Sequence, residues 1–241
     1  MGFSPSYVDP RLLWHPNIPK PLHGVSPRVV MGDDWWNKTR KVVYLRNNYC
    51  CAACAVHKSE AQYFNHLEAH EDYVIDYEKF KMTINRIVPL CHLCHNHIHS
   101  GRLLALAAKG EIPWRKFWDV MRYGFDVLDR EGLGYNPFAV SVCIEATKLD
   151  GNVGTPSWFE ASLWQKINRD LLNSFGDEKD LVDNWSKWRM VLEGKEYPPV
   201  HKNYKDWMEF YSGPSVSGTT IVAKRKNTFL EDYIFNDRNN W

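Results

Sequence analysis

The chain has 241 residues, 44% of them hydrophobic and 24% charged, with 30 basic residues against 29 acidic ones. That length can bury a substantial core, and no run of 18 apolar residues is present to cross a membrane. A net charge of +1 excludes a broad, non-specific basic coat for nucleic acid while leaving room for a local basic surface.

The opening residues lack the basic-then-apolar layout of a secretory signal, so the expected compartment is the cytoplasm. Residues 1 to 30 carry six of the 13 prolines and read as an extended arm lying on the body or loosely tethered to it. Residues 33 to 47 predict a helix, with Asp33 or Asp34 as N-cap and Trp35, Trp36, Val42, Val43 and Leu45 as apolar positions. A turn holding Cys51 and Cys54 follows. Residues 63 to 69 predict a strand whose alternation places His66, Glu68 and His70 on one face. After an acidic stretch over 71 to 78, residues 82 to 90 predict a second strand. Residues 91 to 110 then predict a helix, broken at Ser100 and Gly101.

Beyond residue 110 the pattern turns helical. Pro113 opens a helix in which Trp114, Phe117, Trp118, Met121 and Phe125 recur at three- and four-residue spacing. Two further helices are predicted over 157 to 175 and 178 to 193, and residues 212 to 220 read as a flexible linker before a tail. The expected organisation is an arm (1–30), a compact module (31–110), a helical region (111–211), and a linker with its tail (212–241).

Four of the six cysteines form two short pairs, Cys51 with Cys54 and Cys91 with Cys94, 36 residues apart (55–90). In a chain without a secretory signal this favours zinc thiolates over disulfides, and four thiolates close a tetrahedral shell. Such a site is structural, contributing folding energy to a short segment. Cys50 and Cys143 remain as small packing residues. Four of the ten histidines fall within eight residues: His92, His95, His97 and His99. On a helix His95 and His99 share a face and can grip one metal ion, whereas His92 and His97 read as surface or packing residues.

The ordered combination of Cys51-Ala-Ala-Cys54, Leu67-Glu68-Ala69-His70-Glu71 and the run from Ile87 through His99 to Gly101 resembles the HNH nuclease family. The likeness spans about residues 31 to 104, in particular to bacterial and phage members with paired CxxC knuckles. It implies an α+β protein built on a zinc-stapled ββα-metal module, with a mainly helical C-terminal region. It also implies a metal-dependent DNA endonuclease in which His70 is the general base, suited by an imidazole pKa near 6.5. His95 and His99 would hold the catalytic ion, Mg²⁺, Mn²⁺ or Zn²⁺, and Zn²⁺ would fill the cysteine site. The position before the base, a metal ligand in many family members, is Ala69. The remaining ligand is therefore Glu68 or Glu71, or His70 itself with another group as base. Asn85 stands nearest to the family's central asparagine, with Arg86 in its usual place. Arg102, and also Lys58, are candidates to touch a phosphate of double-stranded DNA, while the eleven tryptophans are assigned to packing. A homodimer would suit cutting at a palindrome. Two other readings stay open: a zinc-ribbon binding module without catalysis, and an RNA nuclease on the same module.

Overall fold

The computed structural model describes residues 4–16, 18–63, 65–149, 156–159 and 183–211. At its centre is an antiparallel hairpin of β1 (Glu68–Asp76) and β2 (Lys81–Leu90), in which His70 faces Val88 across the ladder. The register shifts between Asp72 and Tyr73, where Asn85 is the extra residue on β2. Bulges of this kind re-aim side chains next to sites. Two short strands extend the sheet in the order β1-β2-β3-β4: β3 (Arg189–Leu192) lies parallel to the start of β2, and β4 (Lys195–Tyr197) turns back along it. The described residues thus form a mixed α+β fold with one four-stranded sheet.

The first strand starts later than its apolar alternation predicts. Among residues 63 to 67 no strand is described, whereas the acidic stretch from Glu71 to Asp76 is in the ladder. Cross-strand pairing with the strongly apolar β2 outweighs the low strand propensity of Glu and Asp. A helix does not cover 184–193 either. A 3-10 turn at Trp185–Lys187 leads there into β3, whose Met190 and Leu192 alternate with half-buried Arg189 and Val191. That period of two, over only four residues, is overshadowed in the sequence by the helical composition around it. The predicted helix over 157 to 175 and the linker and tail from 212 onward lie almost wholly outside the described residues.

Helices pack around the hairpin. Before it come α1 (Pro27–Met31), capped by the Ser26 hydroxyl, and α2 (Asp33–Arg46), none of whose residues is fully buried. After it come α3 (His92–Ile98) and α4 (Ser100–Ala108), with the break at His99, one residue before the predicted position. Every residue of α3 is buried, because α5 (Trp114–Arg130) crosses it on the side away from the sheet. α5 presents Phe117, Trp118, Val120, Met121, Gly124, Phe125, Val127 and Leu128 inward at helical spacing, as its sequence predicts. α6 (Pro137–Leu149) adds Ala139, Val140, Cys143 and Ala146 to the same core. A smaller core of Leu22, Val25, Tyr73, Met82, Ile84, Trp188, Met190 and Leu192 covers the far end of the hairpin, and α7 (Tyr204–Tyr211) docks beside it.

The proline-rich N-terminal segment is part of the body rather than a loose arm. Leu12 and Leu13 are buried in the main core on a 3-10 turn capped by Asp9. Backbone bonds from Asp9 N–H to the Ala52 carbonyl (2.6 Å) and from Tyr7 N–H to Asn47 Oδ1 (2.8 Å) fasten it. The Asn136 amide donates to the Leu13 and His15 carbonyls. Prolines at the starts of short turns set this path without needing N–H partners. No helix of the described residues is long and apolar enough to cross a membrane.

Candidate metal centres

Among the described residues two clusters of side chains able to ligate a metal lie at α3, one shared with the turn that follows α2 and one with the hairpin. The first joins Cys51, Cys54, Cys91 and Cys94, one ligand atom from each within 4.8 Å of the others. All four are free thiols. The first knuckle is a tight turn in which Ala55 N–H donates to the Cys51 carbonyl and Ala55 takes a left-handed φ of 66°. It is sewn to the second by Ala52 N–H, which donates to the Pro89 carbonyl at 2.7 Å, just before Cys91. The Cys54 and Cys91 sulfurs are 3.7 Å apart. In a tetrahedral zinc site with Zn–S bonds of about 2.3 Å the sulfurs would lie about 3.8 Å apart. The donor set therefore fits, and the four cysteines can hold a metal ion such as zinc. Hydrogen bonds from Cys51 first, then Cys91, Cys94 and the Tyr123 hydroxyl (3.2 Å) hold the Cys54 thiol below its ordinary range, which favours a thiolate there.

The second cluster joins His70 from β1 with His95 and His99 from the end of α3, again with ligand atoms within 4.8 Å. The spacing of four residues puts His95 and His99 on one helical face, their ring centroids 4.6 Å apart. The His70 ring stands edge-on to both, at 5.5 Å and 5.1 Å. Burial first, then the neighbouring imidazoles His99, His95 and His15, hold His70 well below the usual histidine range, so it is neutral at pH 7. Burial does the same to His99. Three imidazoles facing one another can serve as a ligand set, since each brings a ring nitrogen within reach of one ion.

Comparison of the chain with protein-family models, with curated proteins and with solved structures finds no match. The geometry alone carries the reading.

Glu68 does not belong to the three-histidine set. Its carboxylate lies 2.8 Å from His92 Nδ1 and 2.6 Å from His95 Nδ1, bridging the two rings from behind. Burial raises its carboxyl, but the His95 and His92 rings outweigh that and hold it below the usual carboxylate range. A carboxylate against a ligating histidine fixes the ring's orientation and raises its basicity. His92, which reads from sequence as a surface or packing residue, is thus buried and engaged by Glu68, and Asn96 packs its amide against it. His97 faces the other way, fully buried against α5. Asn85, the bulge residue, is exposed, and among the described residues no hydrogen bond joins it to the histidines. Glu71 lies on β1 beside them, its carboxyl raised by burial. Arg102 is half-buried on the first turn of α4, close enough to His99 to depress it electrostatically. Lys58 is some way along the chain from these groups and sits over the Tyr49 ring at 4.1 Å.

One functional neighbour escapes sequence reasoning. His15, from the N-terminal segment, is buried with Nδ1 3.1 Å from His70 Nε2 and Nε2 3.2 Å from Asp72 Oδ1. Arg86 donates from Nε to the other Asp72 oxygen at 2.7 Å, stacks on the Tyr7 ring and bonds the Tyr7 hydroxyl. Hydrogen bonds from His15 and Arg86 hold Asp72 ionised, below the usual carboxylate range. A lone histidine among prolines, 55 residues before its partner, carries no spacing signal.

Proposed function

We propose that the protein is a metal-dependent DNA endonuclease of the HNH type, with a zinc-stapled ββα module as its catalytic centre. The observation that carries this is the convergence of His70, His95 and His99 on a hairpin and helix, the helix also joined to the first knuckle through the four-cysteine cluster. A purely structural ribbon needs the cysteines but has no use for three imidazoles facing one another, two of them, His70 and His95, buried at a cost that calls for a task.

His95 and His99 would hold a divalent ion beside His70, and that ion would supply charge neutralisation at the phosphate and at the leaving oxygen. His70 accepts the proton of the attacking water, whose oxygen forms the new bond to phosphorus as the ester oxygen departs. Arg102, at the open edge, contacts a neighbouring phosphate. With imidazoles and no carboxylate in the set, Mn²⁺ or Zn²⁺ suits the site better than Mg²⁺, which prefers oxygen ligands.

The test is cleavage of supercoiled plasmid by the purified chain with Mn²⁺, Zn²⁺, Mg²⁺ or EDTA, beside His70→Ala. Metal-dependent nicking that drops about 10²- to 10⁴-fold in the variant is expected. No cleavage with any metal, while the four-cysteine site still binds zinc, would leave the zinc-ribbon binding reading in its place. Cleavage of RNA but not DNA would move the substrate.

A further inference from the structure

The described residues hold one buried polar chain that runs from the surface to the histidine cluster: Arg86, Asp72, His15, His70. Each link is a close contact. Arg86 donates to Asp72 at 2.7 Å, Asp72 lies 3.2 Å from His15 Nε2, and His15 Nδ1 lies 3.1 Å from His70 Nε2. The polarity of the chain follows from its ends. A guanidinium can only donate, so Asp72, accepting from it, is free to accept again from His15 Nε2–H. His15, donating from Nε2 to Asp72, offers Nδ1 as the acceptor for His70 Nε2–H. His70 then has its proton on Nε2 and its lone pair on Nδ1. That Nδ1 is buried and has no hydrogen-bond partner among the described residues.

We propose that His15 is a positioning residue for His70, holding it in the tautomer with the lone pair on Nδ1 and fixing its ring beside His95 and His99. The assignment rests on the nuclease reading for its role in turnover, but not for the tautomer, which is read from the hydrogen-bond chain alone. The environment is built for this. His15 is 8% exposed, its ring lies on Tyr73 with centroids 4.6 Å apart, and Tyr73 O–H donates to the Pro16 carbonyl at 2.6 Å. Asn136, just before α6, clasps the His15 carbonyl. A segment that served only to cover the core would need Leu12 and Leu13, not an imidazole aimed between a carboxylate and a second imidazole.

The experiment reads His70 directly. Long-range ¹H–¹⁵N correlation spectra of the full chain, with His70 assigned by its loss in His70→Ala, report which ring nitrogen carries the proton. Native protein is expected to show the proton on Nε2. His15→Gln keeps an acceptor for His70 and a donor for Asp72 at similar separation, so it retains that tautomer and most of the turnover. His15→Leu removes both, so His70 becomes a mixture of tautomers and kcat falls about 10- to 100-fold with KM little changed. A native His70 protonated on Nδ1 would overturn the proposal without any variant. A folded His15→Leu with native tautomer and native kcat would overturn it as well. If the native chain cleaves no nucleic acid with any metal, the nuclease reading fails while the tautomer measurement still decides the role of His15.

Discussion

Gly124 lies on the inner face of α5, where the helix crosses α3, and the His97 ring occupies the space a side chain would need. A Cβ built there overlaps His97 Nδ1, Cγ and Cε1 together. His97 is completely buried, T-shaped against Phe125 at 5.1 Å, and its ring nitrogens have no well-formed hydrogen bond to relieve a shift. Gly124→Ala therefore forces the ring or a helix to move, at a cost of about 1–3 kcal/mol. Against this stands a gain of about 1 kcal/mol for alanine over glycine in a helix interior. Gly101→Ala on α4 provides the comparison, because a Cβ there meets nothing within 4 Å and only a gain from propensity remains. The two variants should differ by roughly 2 kcal/mol, or about 4–8 °C in Tm for a chain of this size. Thermal unfolding with zinc present measures it. Because His97 lies between His95 and His99, Gly124→Ala should also weaken ion binding at the histidines, readable by titration. Equal stabilisation by both substitutions would refute the packing argument.

Cys94→Ser should lose the zinc of the four-cysteine site and unfold the module, since a three-thiolate set no longer closes the shell; metal counting and circular dichroism check both. Burial pushes His97 down to about 4, from an ordinary value of 6.5. Above pH 6.5 the ring is neutral folded and unfolded. As pH falls from 6.5 towards 4 the unfolded chain takes up a proton that the folded one refuses, and stability drops by about 1.4 kcal/mol per pH unit for such a group. Urea unfolding between pH 7 and pH 5 measures this, and a flat profile would contradict it. Arg102→Ala should weaken DNA binding without altering the cleavage metal, and should reduce the salt dependence of binding by about one phosphate contact.

Both clusters could be read from the sequence because their spacing is a helical or turn period. Cys51 and Cys54 fit one turn, Cys91 and Cys94 another, and His95 and His99 share a helical face. His70 could be placed beside them only through the resemblance, since no local period links a strand to a helix 25 residues on. The alternation of β1 puts Glu68 on the face of His70, but its carboxylate is taken by the His92 and His95 rings. His15, Asp72 and Arg86 were beyond sequence reasoning as a group. They meet only because a bulge shifts the ladder and because the N-terminal turn is buried through Leu12 and Leu13, both consequences of tertiary packing. The strand β3 was hidden for a related reason: four residues gain their pairing from β2, more than a hundred positions earlier, and not from their own propensity.

That distant pairing has a consequence during synthesis. The hairpin is complete at Leu90 and the cysteine cluster at Cys94, yet the strand that covers the free start of β2 ends at Leu192. At about 5–20 residues per second, the ribosome takes roughly 5–20 s to make the intervening hundred residues. For that time Met82 and Ile84 lack the cover of Trp188 and Met190, and the β2 edge is open to any passing strand. An early-closing zinc staple would hold the hairpin in register through this interval, so zinc starvation should show first as aggregation of newly made chains.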